Sequence, residues 1–321
     1  MTAHSLRFVF AGTPDFAARH LDGLLALGYR PMAVYTQPDR PVGRGKKIQP
    51  TPVKAVAQAH EIPVFQPEKL DADALAGLAQ LQPELMVVVA YGSILSQSAL
   101  DTPRLGCINV HASLLPRWRG AAPIERAILS GDRETGISIM HMEAGLDTGP
   151  VLLQLATPID TADNAATVAD RLVTLGIRGL GQVLQDVPGY LASALPQDET
   201  QARYAAKLDK EDARLDWNRA AVELQHQVQA FYPRSPAWCW FRGERLRVIS
   251  ACSDIGNSAV PPGTILAVAK TGILVACGTG NLRITHLQLP GKQAAAVGEI
   301  LNGYPELFVP GTSLAEPQPA Q

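Results

Sequence analysis

The sequence predicts an α/β protein of two domains: a doubly wound parallel sheet with helices on both faces, then a smaller β-barrel or sandwich. Three observations carry that prediction. A chain of 321 residues is long for one compact domain. Its first half alternates strand-like and helix-like segments in a β-α-β rhythm. After residue 231 the texture changes to short apolar runs parted by Gly-containing turns.

Residues 6–12, LRFVFAG, form a short apolar run ending in Gly12. A helix follows, with Thr13 as N-cap, Pro14 at its first position and Gly28 as its stop. Then come strand PMAVYT, helix TPVKAVAQAHE, extended IPVFQ and helix DADALAGLAQLQ. Residues 84–92, ELMVVVAYG, are apolar almost throughout, as a strand covered on both faces should be. LGCINVH reads as a strand, APIERAILSG as a helix and TGISIMHM as a strand. Residues 163–187 read as one long helix despite their glycines, and residues 188–212 as a polar loop. After helix 217–231, AWCWFRGERLRVISACS, GTILAVAKTGILVACGTGNLRITHLQL and AVGEIL supply the short runs of the second domain.

Composition excludes several classes. With 46% hydrophobic and 18% charged residues the chain can bury a sizeable core. A net charge of −2 exerts no overall pull toward nucleic acid or membrane. Cys107, Cys239, Cys252 and Cys277 form no C-x-x-C pair and no histidines cluster with them, so no metal site is expected and reduced thiols are. The N-terminus lacks an apolar signal core and no run reaches membrane-spanning length, which sets the expectation of a soluble, cytoplasmic protein. GTPD after the first strand matches neither G-x-G-x-x-G nor the P-loop pattern, so it reads as a β-to-α turn.

The chemistry concentrates in GCINVHASLLPRWRGAAP, residues 106–123. Asn109 and His111 sit two residues apart at the end of an apolar strand. Such residues share a face about 7 Å apart. At the carboxyl end of a parallel strand they overlook the crevice where doubly wound folds bind ligands. An amide beside an imidazole suits acyl transfer: one stabilises an oxyanion, the other exchanges protons near neutral pH. A buried, hydrogen-bonded pair without catalytic role is the competing reading. Asp147, in GLDTGP, is a carboxylate on a tight turn that would orient His111 or a relay water; turn aspartates are also common structural features. His141 is a rival imidazole in a run that reads as packing.

Together, CINVHASLLPRWRGAAPI, GLDTGPVL, FAGTPDFAARHL, TQPDRPVGRGKK, VVVAYG and YAAKLDKEDARLDW resemble the formyltransferase family that uses 10-formyltetrahydrofolate, in particular its tRNA-acting branch. The resemblance runs from Leu6 to Val309. It implies a Rossmann-like formyltransferase domain over 1–189, a linker over 190–212, an OB-like tRNA-binding β-barrel over 213–315 and a tail over 316–321. It implies Asn109, His111 and Asp147 as the catalytic trio, and Ser113, Leu114, Leu115 and Pro116 as folate contacts. The implied reaction moves a formyl group from 10-formyltetrahydrofolate, without metal, to the α-amine of methionine on initiator tRNA for translation initiation. The implied state is a monomer with no membrane partner. The alternative is the same donor with a small-molecule amine, a sugar nucleotide or purine precursor, as acceptor.

TQPDRPVGRGKKIQP, residues 36–50, reads either as a solvated basic loop or as a flexible, proline-interrupted arm for the tRNA acceptor end. The resemblance implies the arm, with Arg44, Lys46 and Lys47 as tRNA contacts. RWRG, residues 117–120, is a second basic candidate. Arg234, Arg242, Arg245 and Arg247 around Trp238 and Trp240 fit either an RNA surface or an ordinary β-hairpin with one wet face. Arg234 stands where the family often has an aromatic residue, and Ser93 where a larger apolar one is common.

Overall fold

The computed structural model describes residues 6–42, 47–256 and 258–315. Along the chain, β1 (Phe8–Gly12), α1 (Asp15–Ala26), β2 (Ala33–Tyr35), β3 (Arg40–Val42) and β4 (Lys47–Gln49) come first. Then follow α2 (Pro52–Ala59), β5 (Val64–Phe65), α3 (Ala72–Gln80), β6 (Leu85–Val89), α4 (Gln97–Asp101) and β7 (Cys107–His111). Next are β8 (Arg119–Gly120), α5 (Pro123–Leu129), β9 (Glu134–His141), β10 (Val151–Pro158), α6 (Ala165–Val183), α7 (Val187–Ala192) and β11 (Tyr204–Ala205). The described residues fall into two compact units. The first takes those up to 123 with 134–158 and 169–205; the second takes 124–133, 159–168 and those from 206 on.

The first unit is built on a seven-stranded sheet of order β10-β9-β7-β6-β1-β2-β5. Strands β5, β2, β1, β6 and β7 run parallel, while β9 is antiparallel to both β7 and β10. β1 and β6 are buried at all five positions, which is why their runs carry no polar alternation. Val9, Ala11, Tyr35, Met86, Val88 and Leu78 share one core on a face of this sheet.

Local chemistry sets the helix starts. Thr51 Oγ1 accepts from Lys54 N ahead of Pro52, and Asp71 accepts from Ala74 N. The start of α1 departs from expectation: Pro14 is its N-cap, and Thr13 instead donates its hydroxyl to Tyr91 O at 2.7 Å. Helix α6 tolerates its glycines because they make room. A Cβ at Gly176 would lie 2.9 Å from His20 Cδ2 of α1.

Three further segments differ from the sequence reading. In the basic stretch, residues 40–42 and 47–49 pair as antiparallel strands β3 and β4; Pro41 is tolerated because, among the described residues, its strand has no other neighbour. Residues 188–212 are not plain loop: α7 reaches Ala192, Leu195 exchanges backbone hydrogen bonds with Val151, and β11 pairs with β8. The run AVGEIL turns helical at Val297, as described next.

In the second unit, α8 (Ala221–Phe231), β12 (Trp238–Phe241), β13 (Glu244–Asp254), β14 (Ile265–Ala269), β15 (Gly272–Ala276), β16 (Asn281–Gln288), β17 (Ala294–Ala296) and α9 (Val297–Gly303) follow in order. The strands make an antiparallel sheet of order β12-β13-β16-β15-β14, with β17 also on β16. Leu224 and Val228 of α8 join Leu246, Val248, Ile273, Val275, Leu282 and Ile284 in one core. Val297 and Ile300, three residues apart, bury one face of α9, a spacing a strand cannot use. The fold is thus a Rossmann-like α/β domain followed by a C-terminal antiparallel β domain.

Candidate active site

β7 carries Asn109 and His111 to the carboxyl end of a parallel strand, with β6 on one side and antiparallel β9 on the other. Asn109 is half-buried, and no hydrogen bond to another described residue engages its amide. His111 is 6% exposed, and its Nε2 lies 2.8 Å from Trp118 O. A carbonyl only accepts, so Nε2 carries the hydrogen and the neutral ring presents the Nδ1 lone pair. That lone pair faces Asp147 Oδ2 at 3.6 Å. This is too long for a direct hydrogen bond.

Asp147 reaches this position by an indirect route. β9 ends with His141 opposite Ile108, and Met142 N donates to Cys107 O. The loop 142–150 therefore leaves beside the start of β7 and folds back to meet the strand's far end. Asp147 adopts φ +54°, a left-handed conformation uncommon outside glycine. Gly120 N donates to its Oδ2 at 2.8 Å. At the other end of the turn, a Cβ on Gly149 would overlap His141 O and lie 3.0 Å from the carbonyl carbon.

The SLLP segment is held from below. Ser138 Oγ of β9 donates to Ser113 O at 2.7 Å and accepts from Leu115 N at 3.0 Å. Gln154 of β10 donates to Leu115 O at 2.7 Å and to Ser138 Oγ at 2.9 Å. Ser113 and Leu115 are buried, with the Ser113 hydroxyl donating to Arg117 O at 2.6 Å. Leu114 and Pro116 are half-buried. The segment therefore leaves the exposed parts of Leu114 and Pro116 for a ligand, rather than a serine hydroxyl.

Cys107, on the same strand, is no nucleophile: burial pushes its thiol up to about 12. His141 lies apart from the Asn109–His111 face, at the opposite end of the β7–β9 ladder. No group of three or more metal-ligating side chains occurs among the described residues.

The basic candidates separate. Arg44 and Lys46 lie outside the described residues, and Lys47 is exposed on β4. In RWRG, Arg117 stacks over the Trp118 ring at 4.5 Å, while Arg119 is fully buried and unavailable to a polyanion. In the second unit, Arg245 lies 3.9 Å over Trp238 and pairs with Glu211 at 2.9 Å. Arg247 bonds Gln288 at 3.0 Å, and Arg242 donates to Leu307 O at 3.2 Å. Those three arginines serve the hairpin and its surroundings. Sequence reasoning missed Gln197, whose amide grips the Asp147 turn; nothing in a polar Gln-Asp-Glu stretch distinguishes it from a solvated loop.

At the carboxyl end of a parallel strand, an amide, an imidazole fixed at Nε2 and a nearby carboxylate suit acyl-group transfer. The comparisons place the whole chain among acyl-group transferases. The model for "Formyl transferase" matches residues 6–184 and that for "Formyl transferase, C-terminal domain" residues 207–305. The chain belongs to the formyl transferase family. It is 54% identical over 316 residues to a methionyl-tRNA formyltransferase of Ectopseudomonas mendocina, covering 97% of this chain and 99% of that one. Among solved structures, an N-formyltransferase of Helicobacter canadensis in complex with folinic acid and dTDP-3-aminofucose shares the fold. Its TM-score is 0.64 at 16% identity, over 90% of this chain and all of the other. HypX of Aquifex aeolicus with tetrahydrofolic acid gives 0.61 at 15% identity, and there this chain, 94% covered, spans about half (48%) of the other.

Proposed function

We infer that this protein transfers the formyl group of 10-formyltetrahydrofolate to the α-amine of methionine on initiator methionyl-tRNA, supplying formylmethionyl-tRNA for translation initiation. The observation that carries the acceptor is the 54% identity, held over 97% of the chain, to a methionyl-tRNA formyltransferase. The fold neighbour seen with an amino-sugar nucleotide is only 16% identical, so its likeness speaks for the fold and not for the acceptor. The reading carries with it a cytoplasmic enzyme, since charged initiator tRNA is a cytoplasmic substrate, and a monomer, as the family resemblance implies. No described helix is long and apolar enough to cross a membrane.

In this reading Asn109, His111 and Asp147 are the catalytic residues, within a domain spanning 1–189. The α-amine attacks as the free base, which a pKa of about 7.7–8.0 makes accessible at neutral pH. Its nitrogen bonds to the formyl carbon and the carbonyl oxygen becomes an oxyanion. The unengaged Asn109 amide supports its role as donor to that oxygen. With Nε2 committed to Trp118 O, His111 is left to handle protons at Nδ1. Asp147, 3.6 Å away, stabilises the proton as it leaves the amine. Collapse breaks the bond from the formyl carbon to N10 of the folate, and the proton passes to N10. No covalent enzyme intermediate is involved. Ser113 to Pro116 line the folate side, chiefly through the exposed parts of Leu114 and Pro116. Arg44, Lys46 and Lys47 reach the acceptor end of the tRNA, and the domain over 213–315 adds to tRNA binding.

The experiment is formyl transfer from 10-formyltetrahydrofolate to charged initiator tRNA, with dTDP-amino sugar as a competing acceptor and His111→Ala alongside. Rapid transfer to tRNA, reduced roughly 10²-fold or more in the variant, is expected. Transfer to the sugar alone would overturn the acceptor.

A further inference from the structure

Asp147 is held by a clamp that originates 50 residues downstream, in the stretch that reads as a linker. Gln197 Nε2 donates to Asp147 O at 2.8 Å and to Gly149 O at 2.7 Å, so both amide hydrogens grip the turn. Its Oε1 accepts from Arg119 Nε at 3.0 Å. Arginine can only donate, so the amide has one orientation, with its NH₂ on the two carbonyls. Arg119 is fully buried and fixed by a two-pronged pairing with Glu199, Nη1 to Oε2 at 2.9 Å and Nη2 to Oε1 at 2.8 Å. That guanidinium holds the Glu199 carboxyl below the usual range.

The same short strand works on the other side of Asp147. Gly120 N, one residue beyond Arg119, donates to the Asp147 carboxylate at 2.8 Å. Strand β8 is itself docked on β11, through Arg119 N to Arg203 O at 2.8 Å and Ala121 N to Ala205 O at 2.9 Å. Residues 119–120 and 197–205 thus hold Asp147 at both its backbone and its side chain. A left-handed aspartate has no intrinsic reason to stay in place. Two hydrogen bonds from a side chain whose own oxygen is anchored to a buried cation supply one.

We propose that Gln197, oriented by the Arg119–Glu199 pair, is a positioning residue for formyl transfer that sets the distance between Asp147 and His111. The proposal rests on the functional reading above, in which Asp147 stabilises a proton at His111. It goes beyond that reading by assigning part of the site to the segment after α7.

The test is a double-mutant cycle. Gln197→Ala is expected to lower kcat roughly 10- to 100-fold, the scale of a misplacement near 1 Å, with KM for both substrates within about threefold. In an Asp147→Asn background the same substitution is expected to change kcat less than about twofold, because its target is already removed. An unchanged kcat for Gln197→Ala, or an equal loss in both backgrounds, overturns the proposal. Should Gln197→Ala not fold, Gln197→Glu keeps the acceptor for Arg119 and replaces the two donors with a carboxylate against two carbonyls. It too is expected to lose turnover, and full activity overturns the proposal. Wild-type transfer in the same assay keeps the questions apart: an inactive wild type counts against the functional reading, whereas an active wild type with unaffected Gln197 variants counts against the clamp alone.

Discussion

Gly149→Ala is the substitution whose consequence follows most directly from geometry. The added methyl would overlap the carbonyl oxygen of His141 and lie 3.0 Å from its carbonyl carbon, with Met140 Cε at 3.3 Å. Carbon atoms rest at about 3.5–4.0 Å, so the carbonyl carbon alone demands a retreat of about 0.5–1 Å. His141 has little room to yield, because it pairs within the β7–β9 ladder and its N–H bonds Pro150 O at 2.9 Å. The turn moves instead and carries Asp147 with it. A shift of that size separates the carboxylate from Gly120 N and from His111 Nδ1. The expected outcome is a folded protein destabilised by about 1–3 kcal/mol. Its kcat should fall roughly 10²-fold, with KM for folate little changed. Urea unfolding and steady-state formyl transfer measure the two quantities. A stable Gly149→Ala enzyme with turnover within threefold of wild type would refute the reasoning, since the strand and the turn would then have absorbed the methyl without moving the carboxylate.

Two further predictions concern oxyanion stabilisation and acid stability. Asn109→Ala removes one oxyanion donor from an otherwise intact strand, and single-turnover rates should fall about 10²–10³-fold while folate affinity holds. Loss of binding without loss of rate would mean that Asn109 serves the ground state. His20 is fully buried and its pKa is lowered to about 4, chiefly by burial, against a backbone hydrogen bond to Phe16 and with Arg19 lowering it further. The folded state thus refuses a proton that the unfolded chain accepts near pH 6.5, so stability is full above that pH and is lost as pH falls toward 4. Displacement by about 2.5 pH units corresponds to about 3 kcal/mol. His20→Leu should flatten that part of the pH dependence in urea titrations, and an unchanged slope would show that the imidazole takes its proton without unfolding.

Much of the site was legible because its signals were local. Asn109 and His111 are two residues apart on one strand, and alternation alone puts them on a shared face. The glycines around Asp147 mark a turn wherever the turn goes. Where the turn goes is another matter. Apolar runs do not encode strand direction, and only the antiparallel placement of β9 explains how the loop 142–150 starts beside Cys107 and still reaches His111. The partnership of Arg119 with Gln197 spans 78 residues and depends on the chain wrapping past the site, so RWRG read as a basic surface when its second arginine is buried. Short segments failed for a different reason. AVGEIL is too brief for period to decide between strand and helix, and packing of Val297 and Ile300 decides it. Thr13 is not a cap because its hydroxyl is committed elsewhere: it donates to Tyr91 O and accepts from Gln37 N, both far away in sequence.

The wrapping of residues 195–205 around the Asp147 turn bears on where this protein can be cut. A family boundary drawn at the last residue of the N-terminal match, 184, leaves the sheet whole and every candidate catalytic side chain in place. It also leaves β8 without its partner strand, Arg119 without a counter-charge and the backbone of Asp147 without its amide. Chimeras that move the catalytic half onto another acceptor-binding module would inherit a complete set of reactive groups without the Gln197 hold on the Asp147 turn. A piece cut after β11, at Ala205, keeps these contacts.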